Sequence, residues 1–341
     1  MSFSMKFAGV VAGLTLLVGQ ASAETTLRYS NWLPQGHVIL ENAINPFIEE
    51  VQEKTEGRIS IETLPKVIGT VPGQYDVAVD GLADIAFIIM GYTPGRFPLS
   101  EVVELPFVGN DPEAISIAYW RVYHEQLEKY GEFKGVKLLS LSVAAPSHIV
   151  TRNAPVEEFK DLSGLKMRNP IASFIPAAEA MGTVPINKPI SEVYELASSG
   201  VVDGAFAPLD SQKSFKLMDV LPYMTIVEGG LFSPGLALVM NLESWNALSP
   251  EDQQIVMTAA GEKMGGRIGA GYAAGDKVAR TEMEAKDGAI VQMASPELMA
   301  VLHEKLGFVR QAWIEKATAA GVENPGAIAD TLRDTVKLLQ E

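Results

Sequence analysis

The stretch "FKDLSGLKMRNP", Phe159 to Pro170, decides the fold, because it sets down a strand, its two faces and its end within twelve residues. In "GLKMR", Leu165 and Met167 fall on one side of a pleat while Lys166 and Arg168 fall on the other. Pro170 then stops the pairing, since proline has no N–H to give to a ladder. The strand "HIVTR" and a short helix at Val156 to Leu162 lie upstream. Downstream come a helix at Ser173 to Met181, the strand "VPIN", a helix at Ser191 to Ser199 and the strand "GAFAP". Short apolar strands alternating with helical segments predict α/β units around largely parallel sheets.

An earlier series repeats the pattern. "TTLRYSNW", "GRISIETLP" and "DIAFIIMG" read as strands, with helices around Ile39 to Lys54, Gly73 to Val79 and Asp111 to Tyr130, before the strand "GVKLLSLSV". Two series predict two lobes. "GLALVMN" has no room for a lobe of its own and is expected to cross back and complete the first sheet. Residues 24–146 with about 234–275 are thus assigned to the first lobe, and 147–233 with about 276–341 to the second.

Ser249-Pro250-Glu251-Asp252 starts a helix through a cap, a first-turn proline and acids that complement the dipole. The helical pattern persists to about Lys286, long enough to brace both lobes. Gly261, Gly265 and Gly269 recur every four residues within it and predict close packing rather than a phosphate loop. The remaining sequence reads as two amphipathic helices.

The first residues, "MSFSMKFAGVVAGLTLLVGQASAETT", combine Lys6, an uncharged apolar run and Ala21-Ser22-Ala23, which predicts a secretory signal peptide over 1–23, cleaved after Ala23. A periplasmic location follows. The formal net charge of −15 argues against nucleic-acid binding and against an anionic membrane surface. No later run is long enough to insert into a membrane. There is no cysteine, which excludes thiol chemistry. His37, His124, His148 and His303 have no helix-borne metal spacing, "GLFSPG" misses the nucleophile-elbow spacing, and no glycine-rich nucleotide loop follows a strand. No cofactor, no metal and no catalysis are expected, with an exported hydrolase built on unpaired carboxylates as the alternative.

Arg168 lies at the carboxyl end of its strand, where open α/β sheets bind ligands. Its guanidinium fork suits a carboxylate, which could belong to a ligand or to a nearby acid such as Glu157, Glu158 or Asp161. Spacing leaves both partners open.

The run "FKDLSGLKMRNP", followed by "AAEAMGTVPINKPISEVYELASSGVVDGAFAPL" and "LALVMNLESWNALSPEDQQIV", resembles the DctP-type substrate-binding proteins of tripartite ATP-independent periplasmic (TRAP) transporters; "AVDGLADIAF" and "LPF" fit as well. The resemblance implies a two-lobed, type II-like periplasmic binding protein that closes like a hinge on a small organic anion. It further implies docking on small and large integral-membrane subunits driven by a sodium gradient. The arginine of "GLK-x-R", here Arg168, is the residue that grips the ligand carboxylate in such proteins. His148 stands where the sialic-acid-binding branch has a second ligand arginine, and Ala207 where it has an asparagine, so a sialic acid is not the expected ligand.

Strand ends nominate further cleft residues: Trp32 and His37 after the first strand, Gly91 and Tyr92 after the third, Phe206 on "GAFAP", and Phe232 at the second crossing. Their rings suit a planar or apolar ligand body, or a cation held against ring faces. His148 could donate to an anion or satisfy a loop carbonyl. The reading is a monomeric receptor for a small carboxylate, with a zwitterionic or cationic osmolyte-like ligand as its alternative within the class. A sensor subunit is the rival outside it.

Overall fold

A computed structural model describes residues 24–340; the expected signal peptide lies outside the described residues. The first series folds as β1 (Thr25–Ser30), α1 (Asn45–Lys54), β2 (Ile59–Thr63), α2 (Gln74–Val79), β3 (Ile85–Ile89), α3 (Pro112–Val122) and β4 (Val136–Val143). β1 pairs in parallel with β2 and β3. The "IAFII" of β3 is almost wholly buried, as a strand covered on both faces must be. Asp111 caps α3 by accepting the Glu113 N–H at 2.9 Å. The helix expected through Tyr130 is α-helical only to Val122, then loosens into π and 3-10 turns and stops at Gly131, whose φ of 66° is left-handed.

The second series gives β5 (His148–Thr151), β6 (Lys166–Asn169), α4 (Ile175–Ala180), β7 (Val184–Asn187), α5 (Val193–Ser198), β8 (Gly204–Ala207), α6 (Ser211–Ser214) and β9 (Tyr223–Ile226). The chain then returns as β10 (Gly235–Asn241), which pairs antiparallel with both β3 and β4 and completes the first sheet, in the order β2-β1-β3-β10-β4. After α7 (Leu242–Asn246), α8 (Pro250–Ala259) and α9 (Gly261–Glu284), β11 (Ile290–Met293) joins the second sheet, in the order β11-β9-β5-β8-β6-β7. β9 and β11, only four residues each, are strands that the sequence pattern did not reveal.

Two chain crossings lie side by side between the sheets. Ala144 N–H donates to the Pro234 carbonyl, Ser147 N–H to Phe232, and Leu231 N–H to Ser147, all within 2.9 Å. This paired backbone is the hinge. α9 is the third link: Met264 and Ile268 sit in the first-lobe core, whereas Ala279 and Met283 sit in the second. The helix expected from Pro250 to Lys286 is in fact two, broken where Gly261 takes a φ of +54°. The close packing expected of the three glycines is present at Gly265 and Gly269 but not at Gly261, where a Cβ would stand 3.5 Å from the Trp120 ring. A Cβ on Gly265 would stand 2.6 Å from the Leu141 carbonyl, and one on Gly269 2.4 Å from the Glu113 Cα.

The carboxyl-terminal segment forms three helices rather than two, because the chain re-starts at Gly307: α10 (Pro296–Leu306), α11 (Phe308–Ala319) and α12 (Pro325–Gln340). Nor does it stay with the second lobe. Leu298, Leu302 and Leu306 pack there. Trp313, Ala317, Ile328, Leu332 and Val336 pack instead into the first-lobe core beside α3, and the Trp313 indole donates to the Pro98 carbonyl at 3.1 Å. An amphipathic stripe states that a helix is covered, not by which lobe.

Candidate functional site

Strand parity brings the Arg168 side chain to the carboxyl end of β6, where it is 1% exposed. Nε donates to the Lys188 carbonyl at 2.7 Å, Nη1 to the Phe206 carbonyl at 3.3 Å, and Nη2 to the Tyr92 hydroxyl at 3.2 Å. A guanidinium has five N–H groups, so one remains on each terminal nitrogen. The local acids are engaged elsewhere: Glu158 pairs with Lys160 at 2.6 Å, and Asp161 accepts the Glu157 and Glu158 N–H groups. Among the described residues Arg168 therefore has no carboxylate partner. Burial holds its pKa below the usual value, with Tyr92 and the more distant Glu192 offsetting it only in part.

Tyr92 comes from the other lobe. Its hydroxyl accepts from Arg168 and also from the Ile190 N–H at 2.9 Å, which leaves its own proton to donate. Two guanidinium protons and a phenol proton thus form one anion-seeking pole. Around it lies a cavity between the lobes, lined mainly by apolar and aromatic side chains with a few polar groups among them, the usual composition of a small-molecule site. Trp32, Ile89, Phe206, Phe215 and Tyr272 supply apolar wall. The Trp32 ring is fixed by donation to the Phe87 carbonyl at 2.8 Å and by stacking on Phe87. Phe206 is set edge-on against Phe174, at 5.5 Å and 76°.

Of the residues nominated from sequence, the cavity wall includes Arg168, Trp32, Tyr92, His37 and Phe206. The other four stand outside it. His148 is buried, with Nδ1 accepting the Val227 N–H at 3.3 Å, and burial brings its pKa down to about 4, so the ring is neutral. Ala207 pairs with it across β5 and β8 and points to the opposite face from Phe206, into the core. Phe232 lies at the crossing but packs on Phe174 at 4.3 Å. Gly91 is a seam residue: a Cβ there would stand 2.2 Å from Ile171 Cγ2, so its bareness lets the lobes meet.

The sequence reading missed a second polar pole. His37 Nδ1 accepts the Ile39 N–H at 3.2 Å, which puts the ring proton on Nε2, 4.0 Å from Asp210 Oδ2. Burial lowers the His37 pKa to about 4 and raises that of Asp210 to about 7. Ser214 Oγ donates to Asp210 Oδ2 at 3.1 Å, whereas buried Oδ1 has no partner. Ser147 Oγ, on the hinge, is likewise an unpartnered atom of the wall. Asp210 lies three residues beyond β8, and the strand-end logic that found Trp32 would have found it too. Tyr272 carried no such signal, being one helical residue among many.

A latch holds the lobes beside this cavity. Glu104 of the first lobe accepts the Ser173 hydroxyl at 2.6 Å from the second and the Gly235 N–H at 3.2 Å. Burial pushes its carboxyl up to about 7.

Residues 29–316 match the DctP family model, described as bacterial extracellular solute-binding protein, family 7. The chain belongs to this family. Among solved structures, a TRAP periplasmic solute-binding protein from Bordetella bronchiseptica with bound (R)- and (S)-mandelate superposes with a TM-score of 0.89 at 34% identity, covering 92% of this chain and 99% of that one. A TRAP solute-binding protein from Rhodoferax ferrireducens with copurified benzoate gives 0.85 at 28% identity, covering 92% and 98%. A marine metagenome protein specific for aromatic acid ligands, in complex with 3-hydroxybenzoate, gives 0.86 at 27% identity, covering 94% and 100%. The two-lobed α/β architecture expected of this solute-binding protein is the one these structures share. Among its described residues no helix is long and apolar enough to cross a membrane.

Proposed function

We propose that this solute-binding protein captures an aromatic monocarboxylate in the periplasm and hands it to the small and large membrane subunits of a sodium-coupled TRAP transporter, without altering it. The observation that carries the reading is Arg168: a fully buried guanidinium with no acid beside it, one N–H free on each terminal nitrogen, facing a cavity walled by rings. A buried unpaired charge is costly, and a carboxylate arriving as its partner relieves that cost. The wall favours a flat apolar body over a polyol, because Trp32, Phe206 and Phe215 offer ring faces and edges and few hydrogen bonds. Mandelate, benzoate and 3-hydroxybenzoate, the ligands of the three similar structures, share this chemistry. Export through the leader at 1–23 completes the proposal.

A thermal-shift panel of the mature protein tests it, with benzoates, mandelates and phenylacetates set against sugar acids, aliphatic acids and betaines. A ligand at about 100-fold its Kd stabilises the folded state by about 2.7 kcal/mol. Aromatic acids are expected to raise the melting temperature and sugar acids to leave it unmoved. A panel in which only sugar acids or betaines shift the protein would overturn the reading.

A further inference from the structure

Asp210 is 1% exposed, lines the same cavity as Arg168, and makes no ion pair with it. Its two oxygens are unequal. Oδ2 takes the Ser214 hydroxyl and lies near the His37 Nε2 proton, whereas Oδ1 is buried without any donor. A buried acceptor left unmatched destabilises the site, and a ligand that supplies the missing donor removes that penalty only when bound. Neutral His37 approaches the carboxyl from the other lobe, its Nε2 4.0 Å from Oδ2, and the Asp210 N–H donates to Asp276 Oδ1 on α9 at 2.8 Å. Arg168 calls for an acceptor and Asp210 Oδ1 for a donor, so the ligand carboxylate that meets the first cannot supply the second.

We propose that Asp210 Oδ1 accepts a hydroxyl carried on the ligand ring away from its carboxylate, making Asp210 the residue that selects hydroxylated aromatic acids over unsubstituted ones. This rests on the aromatic-acid reading above and adds the substituent that the site prefers.

Titration calorimetry of the mature protein with benzoate, 3- and 4-hydroxybenzoate, and 3- and 4-fluorobenzoate tests it. Fluorine matches the hydroxyl roughly in size but has no proton to give. At least one hydroxybenzoate is expected to bind about tenfold tighter than its fluoro counterpart, the ratio one buried hydrogen bond supplies. In Asp210→Ala that ratio is expected to fall to near one. Equal Kd values for hydroxy and fluoro acids in the parent protein overturn the proposal whether or not the variant folds, and leave the aromatic-acid reading intact. A preference that survives Asp210→Ala and vanishes in Ser147→Ala also overturns it, assigning the hydroxyl to the hinge serine. Failure of all five acids to bind would instead strike at the aromatic-acid reading itself.

Discussion

Arg168 is held by the Lys188 and Phe206 carbonyls and the Tyr92 hydroxyl, none of which carries compensating charge. Removing it from a liganded site strands a buried carboxylate, so Arg168→Ala is expected to weaken aromatic-acid binding about 30-fold or more by calorimetry; an unchanged Kd would exclude the clamp. Glu104 offers a test through pH. Its folded pKa of about 7 exceeds the ordinary 4.5, so between those values the folded protein holds a proton that the unfolded chain releases. Stability from this group is fully present below about pH 4.5 and is lost as pH rises through 7. Glu101, Lys316 and the Ser173 hydroxyl, which it accepts, shape that shift beside burial. His37 and His148, lowered to about 4, act in the opposite sense, losing stability as pH falls from 6.5. Relative to the parent, Glu104→Gln is expected to gain up to on the order of 3 kcal/mol between pH 5 and pH 8 in urea unfolding. A gap that is the same at both pH values would show that Glu104 titrates normally. At this scale the sequence disclosed the direction of Arg168, because a strand has two faces, but not its solitude. The acids at Glu158 and Asp161 are near in sequence, and only the fold shows them engaged elsewhere.

At the scale of elements, α9 binds the molecule together through surfaces that sequence spacing predicted well. Gly269→Ala would press a methyl to 2.4 Å from the Glu113 Cα and the Pro112 carbonyl, neither of which can move without shifting α3. The expected loss is roughly 1–3 kcal/mol in chemical unfolding. Gly266 sits on the same helix with only Ile117 at 3.6 Å, so Gly266→Ala is expected to be neutral or stabilising by up to about 1 kcal/mol, the helix-propensity gain. If both variants behave alike, close packing is not why the glycines stand there. The strands and the return of β10 were legible because period-two patterns bounded by turns are local signals. The break at Gly261 and the split at Gly307 were not, since each needs one residue's backbone angle or packing rather than a pattern.

At the scale of the molecule, the proposed function depends on two lobes meeting over a ligand, with Tyr92 touching Arg168 and Ile190, and Gly91 set against Ile171. Gly91→Val places atoms where Ile171 lies, so closure is obstructed while each lobe keeps its own core. Aromatic-acid affinity is expected to fall tenfold or more, and the ligand-induced contraction seen by small-angle scattering to shrink, with ligand-free stability unchanged. A variant that binds and contracts like the parent would remove the seam from the mechanism. That two lobes exist was readable from two strand series; that α11 and α12 return to the first lobe was not, because an apolar stripe has no address. The measurement that bears most directly on the whole account is calorimetric titration of the parent protein with an aromatic acid and with its primary amide. The two have almost the same shape and differ in the charge that Arg168 is buried to meet. The acid is expected to bind at least about 30-fold more tightly than the amide. Equal affinity for the two would contradict the account.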